Sequence, residues 1–102
     1  EEILGEAVVK ESFKIPKIGF IAGSQVESGK ITRDSFTRLI REEEELISKG
    51  KIVSLKRFKD DVASVDSGLE CGIAIEGVKK YFPGDRIIAY KINEIKRKLS
   101  DS

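Results

Sequence analysis

Apolar residues recur at every second position along much of this chain, a spacing that predicts strands and not helices. Ala7, Val9, Phe13 and Ile15 fall at odd positions against Lys10, Ser12 and Lys14, the pattern of a half-buried strand that Val8 and Glu11 interrupt. Residues 18–26 carry Gly19 and Gly23, and a glycine inside a strand pattern marks a bulge, a bend or the close approach of something else. Ser28-Gly29-Lys30 reads as a turn and Arg33-Asp34-Ser35 as a loop, with a short strand over residues 36–41 beyond them. Four adjacent glutamates at 42–45 disfavour a paired strand, because like charges repel across the ladder, and predict a solvated hairpin tip. Strands follow over 51–55, 71–75 and 86–92, with a connector at 62–68. The last strand is launched by Phe82-Pro83-Gly84-Asp85, where proline presets φ and glycine admits its positive values. About six short strands so spaced predict an all-β domain, a small closed antiparallel barrel with Phe13, Ile18, Ile52 and Ile87 in its core.

Length limits the chain to one core: 102 residues make a single domain, expected to run over 1–94 and to end in a basic tail, 95–102, that frays or forms a short helix. With 19 basic and 18 acidic residues there is no global basic field, so any nucleic-acid contact must be a local patch. One cysteine and no histidine exclude an internal disulfide and the usual zinc sites, and fit a reducing compartment. The same lack of histidine removes the usual base for a catalytic Cys71, leaving a small residue that lines a barrel wall or pocket. Residues 23–30, GSQVESGK, imitate a phosphate loop but have five residues between Gly23 and Gly29 where four are needed, and Ile31 where a hydroxyl should stand. The start, Glu1-Glu2-Ile3, reads as a cut from a longer polypeptide without a signal peptide, and apolar runs broken by charge predict no membrane span.

The densest chemistry is Ser54-Leu55-Lys56-Arg57-Phe58-Lys59-Asp60-Asp61, followed by Glu70-Cys71-Gly72. Three cations around one ring suit a surface for phosphate and base, although composition alone fits an ordinary solvated turn better. The order of segments carries more weight. GEAVVKESFKI, KIGFIAGSQVESGKITRDS, RLIRE, SLKRFKDDV, GLECGIAIE and PGDRIIAY succeed one another from Gly5 to Tyr90, and in that order the chain resembles the C-terminal barrel of bacterial-type translation initiation factor 2.

The resemblance implies a barrel like the second domain of elongation-factor GTPases, which binds the formylmethionyl-acylated 3′ end of initiator tRNA and shields its ester. It implies a site of Ser24, Lys56, Arg57, Phe58, Lys59, Glu70, Cys71 and Gly72. Lys56, Arg57 and Lys59 would meet phosphates, Phe58 would offer a face to the terminal adenosine or the methionine side chain, and Asp60 and Asp61 would orient the cationic turn. A formyl-blocked amine is uncharged, so its pocket should be neutral to apolar; Ser24, Cys71 and Gly72 suit that. Ser24 stands where the family commonly has a second cysteine and Phe58 where it often has tyrosine, and the glutamate run is longer than the family's turn. The fragment itself would need no cofactor, GTP and magnesium belonging to another domain of a multidomain parent. It would act as a monomer with the ribosome, in bacterial cytoplasm or an organellar matrix or stroma. The alternative is a structural translation-GTPase barrel that docks on ribosomal RNA or protein.

Overall fold

The computed structural model describes residues 2–16 and 18–92; the boundary expected after residue 94 and the basic tail lie outside them. Eight strands form: β1 (Glu2–Ile15), β2 (Gly19–Thr32), β3 (Phe36–Arg41), β4 (Glu44–Arg57), β5 (Asp60–Asp61), β6 (Ser64–Asp66), β7 (Glu70–Ile75) and β8 (Arg86–Lys91). Six of them close in the order β1-β8-β3-β4-β7-β2 and back to β1, every pairing antiparallel. This is the expected closed barrel, in which no member of the ring is left with a bare edge. The two extra strands are short: β5 pairs antiparallel with the end of β4, and β6 with the far end of β2.

The core is filled by small and branched side chains from all round the ring, including Ala7, Val9, Val26, Leu39, Leu55, Ile73 and the expected Ile52 and Ile87. Tyr81, on the strandless segment between β7 and β8, plugs the core; its hydroxyl accepts a hydrogen bond from the Ile75 N–H at 2.8 Å.

Phe13 and Ile18 are not core residues. Phe13 is 46% exposed and Ile18 also reaches solvent. The cause for Phe13 is a bulge. Val9 pairs with Ser24 and Glu11 with Gly23, so Lys10 is an extra residue on β1. One added residue inverts the side-chain alternation, because strand periodicity is two. Ala7 and Val9 therefore point inward while Glu11, Phe13 and Ile15, of the same parity, point out. The break noted at Val8 and Glu11 is the trace of that bulge.

Ser28-Gly29-Lys30 is likewise no turn, since β2 continues through it to Thr32. Gly29 takes φ of +62° beside a register shift, and a side chain there would collide with the Leu4 carbonyl. The glutamate run is indeed a hairpin tip, yet only Glu42 and Glu43 turn; Glu44 and Glu45 already pair with Arg41 and Ile40.

Candidate binding site on the outer barrel face

Four adjacent strands place Glu11, Gly23, Gly72 and Lys56 in one row across the outside of the barrel, β1 to β2 to β7 to β4. The two central members have no side chains. Where they meet, the sheet surface is hollow, and a pocket of about 290 Å³ opens over it. Phe13, Ile15 and Ile21 form an apolar wall, while Lys10, Glu11, Lys56, Phe58 and Glu70 complete the lining. The hollow is roofed closely: a Cβ on Gly23 would sit 2.7 Å from the Phe13 ring, and one on Gly72 would sit 2.9 Å from Ile21.

Of the eight residues expected at the site, the structure gathers Ser24, Lys56, Phe58, Glu70, Cys71 and Gly72 around this pocket; Arg57 and Lys59 stand outside its lining. Ser24 and Cys71 face each other in register on the inward side of the wall. Ser24 is buried and its hydroxyl donates to the Ala22 carbonyl at 3.1 Å. Cys71 is 6% exposed and belongs to the core cluster. Burial pushes its thiol up to about 11, against the opposing pull of the Arg57 charge, so it remains a neutral SH at physiological pH.

The cationic run forms the end of β4 and a two-residue turn, Phe58-Lys59, closed by the pairing of Arg57 with Asp60. Phe58 adopts φ of +59° with its ring 89% exposed. That backbone suits glycine at the first turn position, so a bare aromatic there is doubly unfavourable for the fold. Arg57 is held in place: its Nε donates to the Glu70 carbonyl at 3.1 Å, and its guanidinium lies 5.1 Å from the Phe58 ring centre. Lys56 pairs with Asp61 across the turn at 3.1 Å. Lys59 projects from the tip into solvent.

The floor and wall of the pocket are neutral or apolar. Two lysines and two glutamates ring them. Lys10, Phe13, Ile15 and Ile21 were absent from the expected site. Gly23 carried the available signal, since its flagged close approach is that of the Phe13 ring. Residues 23–30 run through the extended strand β2, with no loop or helix start to cradle a phosphate.

No family model matches the chain. Translation initiation factor IF-2 of Leptospira biflexa is 49% identical to it over 100 residues, 97% of this chain and 11% of that protein. IF-2 of Syntrophus aciditrophicus is 50% identical over 99 residues, again 97% and 11%. Over nearly its whole length the chain is similar to one segment of IF-2. It spans about a tenth of the length of these relatives. Two solved structures share the fold. GDP-bound aIF5B of Aeropyrum pernix superposes with a TM-score of 0.68 at 16% identity, over 83% of this chain and 16% of that one. Translation elongation factor SelB of Methanococcus maripaludis superposes at 0.66 and 19% identity, over 89% and 19%. The barrel is thus one found in translation factors.

Proposed function

We propose that this domain binds the formylmethionyl-acylated 3′ end of initiator tRNA and shields its ester, as a noncatalytic part of a multidomain GTPase whose nucleotide site lies in another domain. The observation that carries the reading is the juxtaposition of an apolar hollow over Gly23 and Gly72 with an exposed, conformationally strained Phe58 on a cationic turn. Strain held at an exposed aromatic points to function, since folding alone would select glycine.

The chemistry follows from the residue types. The hollow takes the acylated amino acid, whose blocked amine carries no charge to desolvate against Phe13 and Ile21. Phe58 stacks on the terminal base, a contact worth about 1 to 3 kcal/mol. Lys59 and Lys56 meet phosphates, and Arg57 holds Phe58 and the end of β7 in place. Covering the ester with the wall of the hollow excludes attacking water. The domain would work beside the ribosome, in bacterial cytoplasm or in an organelle.

Filter binding of the chain to initiator tRNA in formylmethionyl, methionyl and deacylated forms tests this. Tightest retention is expected for the formylated form, with log affinity falling against log salt by about 0.7 per phosphate contact. Equal retention of all three forms would sink the reading in favour of a docking barrel.

A further inference from the structure

Alongside β1 runs the strandless segment that leads into β8. Backbone bonds fix it there: the Val9 N–H donates to the Asp85 carbonyl at 2.8 Å, and the Gly84 N–H to that of Val9 at 2.9 Å. The turn over residues 82–85 needs proline, glycine and the Asp85 carboxylate, yet of Phe82 it uses only the N–H, which donates to Asp85 Oδ2 at 3.0 Å. The Phe82 ring is 44% exposed and takes no part in the core cluster. Two cations lie against it instead. The Arg41 guanidinium, clamped through Nε and Nη2 on the Asp85 carboxylate, is 4.3 Å from the ring centre, and the Lys80 ammonium is 5.3 Å from it. Among the described residues Lys80 has no carboxylate partner. None of these three residues lines the pocket over Gly23 and Gly72.

We infer that Phe82, Arg41 and Lys80 form a separate RNA-binding platform, which takes one unpaired nucleotide with its base on the Phe82 ring and its phosphate at Lys80, while Arg41 backs the ring. A planar base covers an exposed aromatic face, and the ammonium beside that face meets the phosphate that the same base carries. An aliphatic peptide side chain would cover the ring and leave the lysine charge unanswered. Phe58 repeats the arrangement on another element, with Arg57 at 5.1 Å and Lys59 next in sequence. The platform stands apart from the acyl-end site and does not depend on it. The unpaired end of a tRNA and a looped-out nucleotide of ribosomal RNA present the same chemistry to it.

The chain has no tryptophan, so Phe82→Trp places a single fluorescent reporter at the platform and keeps an aromatic ring there. Single-stranded hexaadenylate added to the full 102-residue Phe82→Trp chain should quench the reporter saturably, as stacked bases do, and the quench should persist when Phe58→Ala is added. On the Phe58→Ala background, anisotropy of labelled hexaadenylate should show Phe82→Ala weakening binding about tenfold and Lys80→Gln lowering the log-log salt slope by about 0.7. Circular dichroism confirms that each variant is folded. Absence of hexaadenylate binding, binding that leaves the reporter unquenched, or equal affinity with and without Phe82→Ala on the Phe58→Ala background would overturn the platform. Deacylated initiator tRNA that quenches the reporter and competes with hexaadenylate would uphold it with the tRNA end as the source of the nucleotide. A reporter still quenched by hexaadenylate when the chain is saturated with that tRNA would uphold it with another RNA as the source. Equal retention of formylated and deacylated tRNA, which sinks the acyl-end reading, would leave all of these results standing.

Discussion

Phe58 sets local stability against use. Its φ of +59° costs a residue with a Cβ roughly 1 to 2 kcal/mol relative to a right-handed conformation, and its ring, 89% exposed, buries little surface beyond its contact with Arg57. Phe58→Gly should therefore raise stability by about 1 kcal/mol, seen as a melting temperature about 4 °C higher, while weakening tRNA binding. A variant both less stable and equally tight in binding would remove Phe58 from the proposed site. Cys71 makes the opposite case, a residue whose chemistry the fold suppresses. Its thiol titrates near 11 when folded, above its ordinary value, so alkylation of the native domain should be slow and should rise steadily with pH without levelling off before about 11. The linkage has a definite sign: a raised folded value stabilises below the unfolded one and is lost as pH rises through the folded one. The domain should lose stability between about pH 9 and 11, and Cys71→Ser should remove that part of the loss in urea titrations. A rate that levels off near pH 8 would mean an exposed thiol. Both residues were visible in the sequence by type, but neither the strain of one nor the burial of the other was, because φ and inward register are set by pairing partners far along the chain.

At the level of elements, the proline-glycine turn and the charged tip were legible, whereas the glycine at 29 and the strand phase beyond Lys10 were not. The turn at residues 82–85, the last strand and the glutamate tip stand where the residues predict them. The tip shows why its exact extent was hidden: Glu42 and Glu43 have φ of 52° and 67°, both positive, so the hairpin closes with the tight two-residue turn normally written Asn-Gly. Glutamate carries no such signal. Repulsion between four like charges marks the bend but not its length: the short turn places Glu44 and Glu45 in the ladder, where Glu45 meets Arg38 at 3.4 Å. Replacing Glu42-Glu43 by Asn-Gly should relieve the strain and part of the charge crowding, raising the urea midpoint by an amount equivalent to about 1 kcal/mol. An unchanged midpoint would show that the turn carries no strain. The β1 bulge is the other case. A single extra residue at Lys10 inverted the phase of everything after it, so Phe13 was assigned to the core by a rule that was right for Ala7 and Val9. That same inversion builds the pocket wall, so the misplaced residue and the hidden part of the site share one cause.

At the scale of the whole molecule, a polar cluster at one end of the ring ties three of its strands together. Asp85 is 1% exposed, and its carboxylate accepts two hydrogen bonds from Arg41, both at 2.9 Å, and a third from the Phe82 N–H at 3.0 Å. Arg41 ends β3, Asp85 leads into β8, and the backbone on either side bonds to Val9 of β1: Val9 N–H donates to the Asp85 carbonyl, and Gly84 N–H to that of Val9. Three consecutive strands of the barrel therefore meet at one carboxylate, and the guanidinium that neutralises it also covers the Phe82 ring at 4.3 Å. Removing Arg41 leaves the buried charge with a single backbone donor. Breaking a buried pair from one side costs about 3 to 5 kcal/mol, and the lower figure applies here because the Arg41 side chain is 31% exposed. Arg41→Ala should thus lower the unfolding free energy by about 3 kcal/mol, a large share of what a domain of this size holds. Arg41→Lys should recover little, since a single ammonium cannot donate to both oxygens in the fork geometry. Asp85→Ala made on top of Arg41→Ala removes the stranded charge, and the double variant should be more stable than Arg41→Ala alone. Urea unfolding followed by circular dichroism measures all three. If the double variant is instead less stable than Arg41→Ala by the full cost of the Asp85 change, the pair is not coupled, and closure rests on the backbone bonds to Val9.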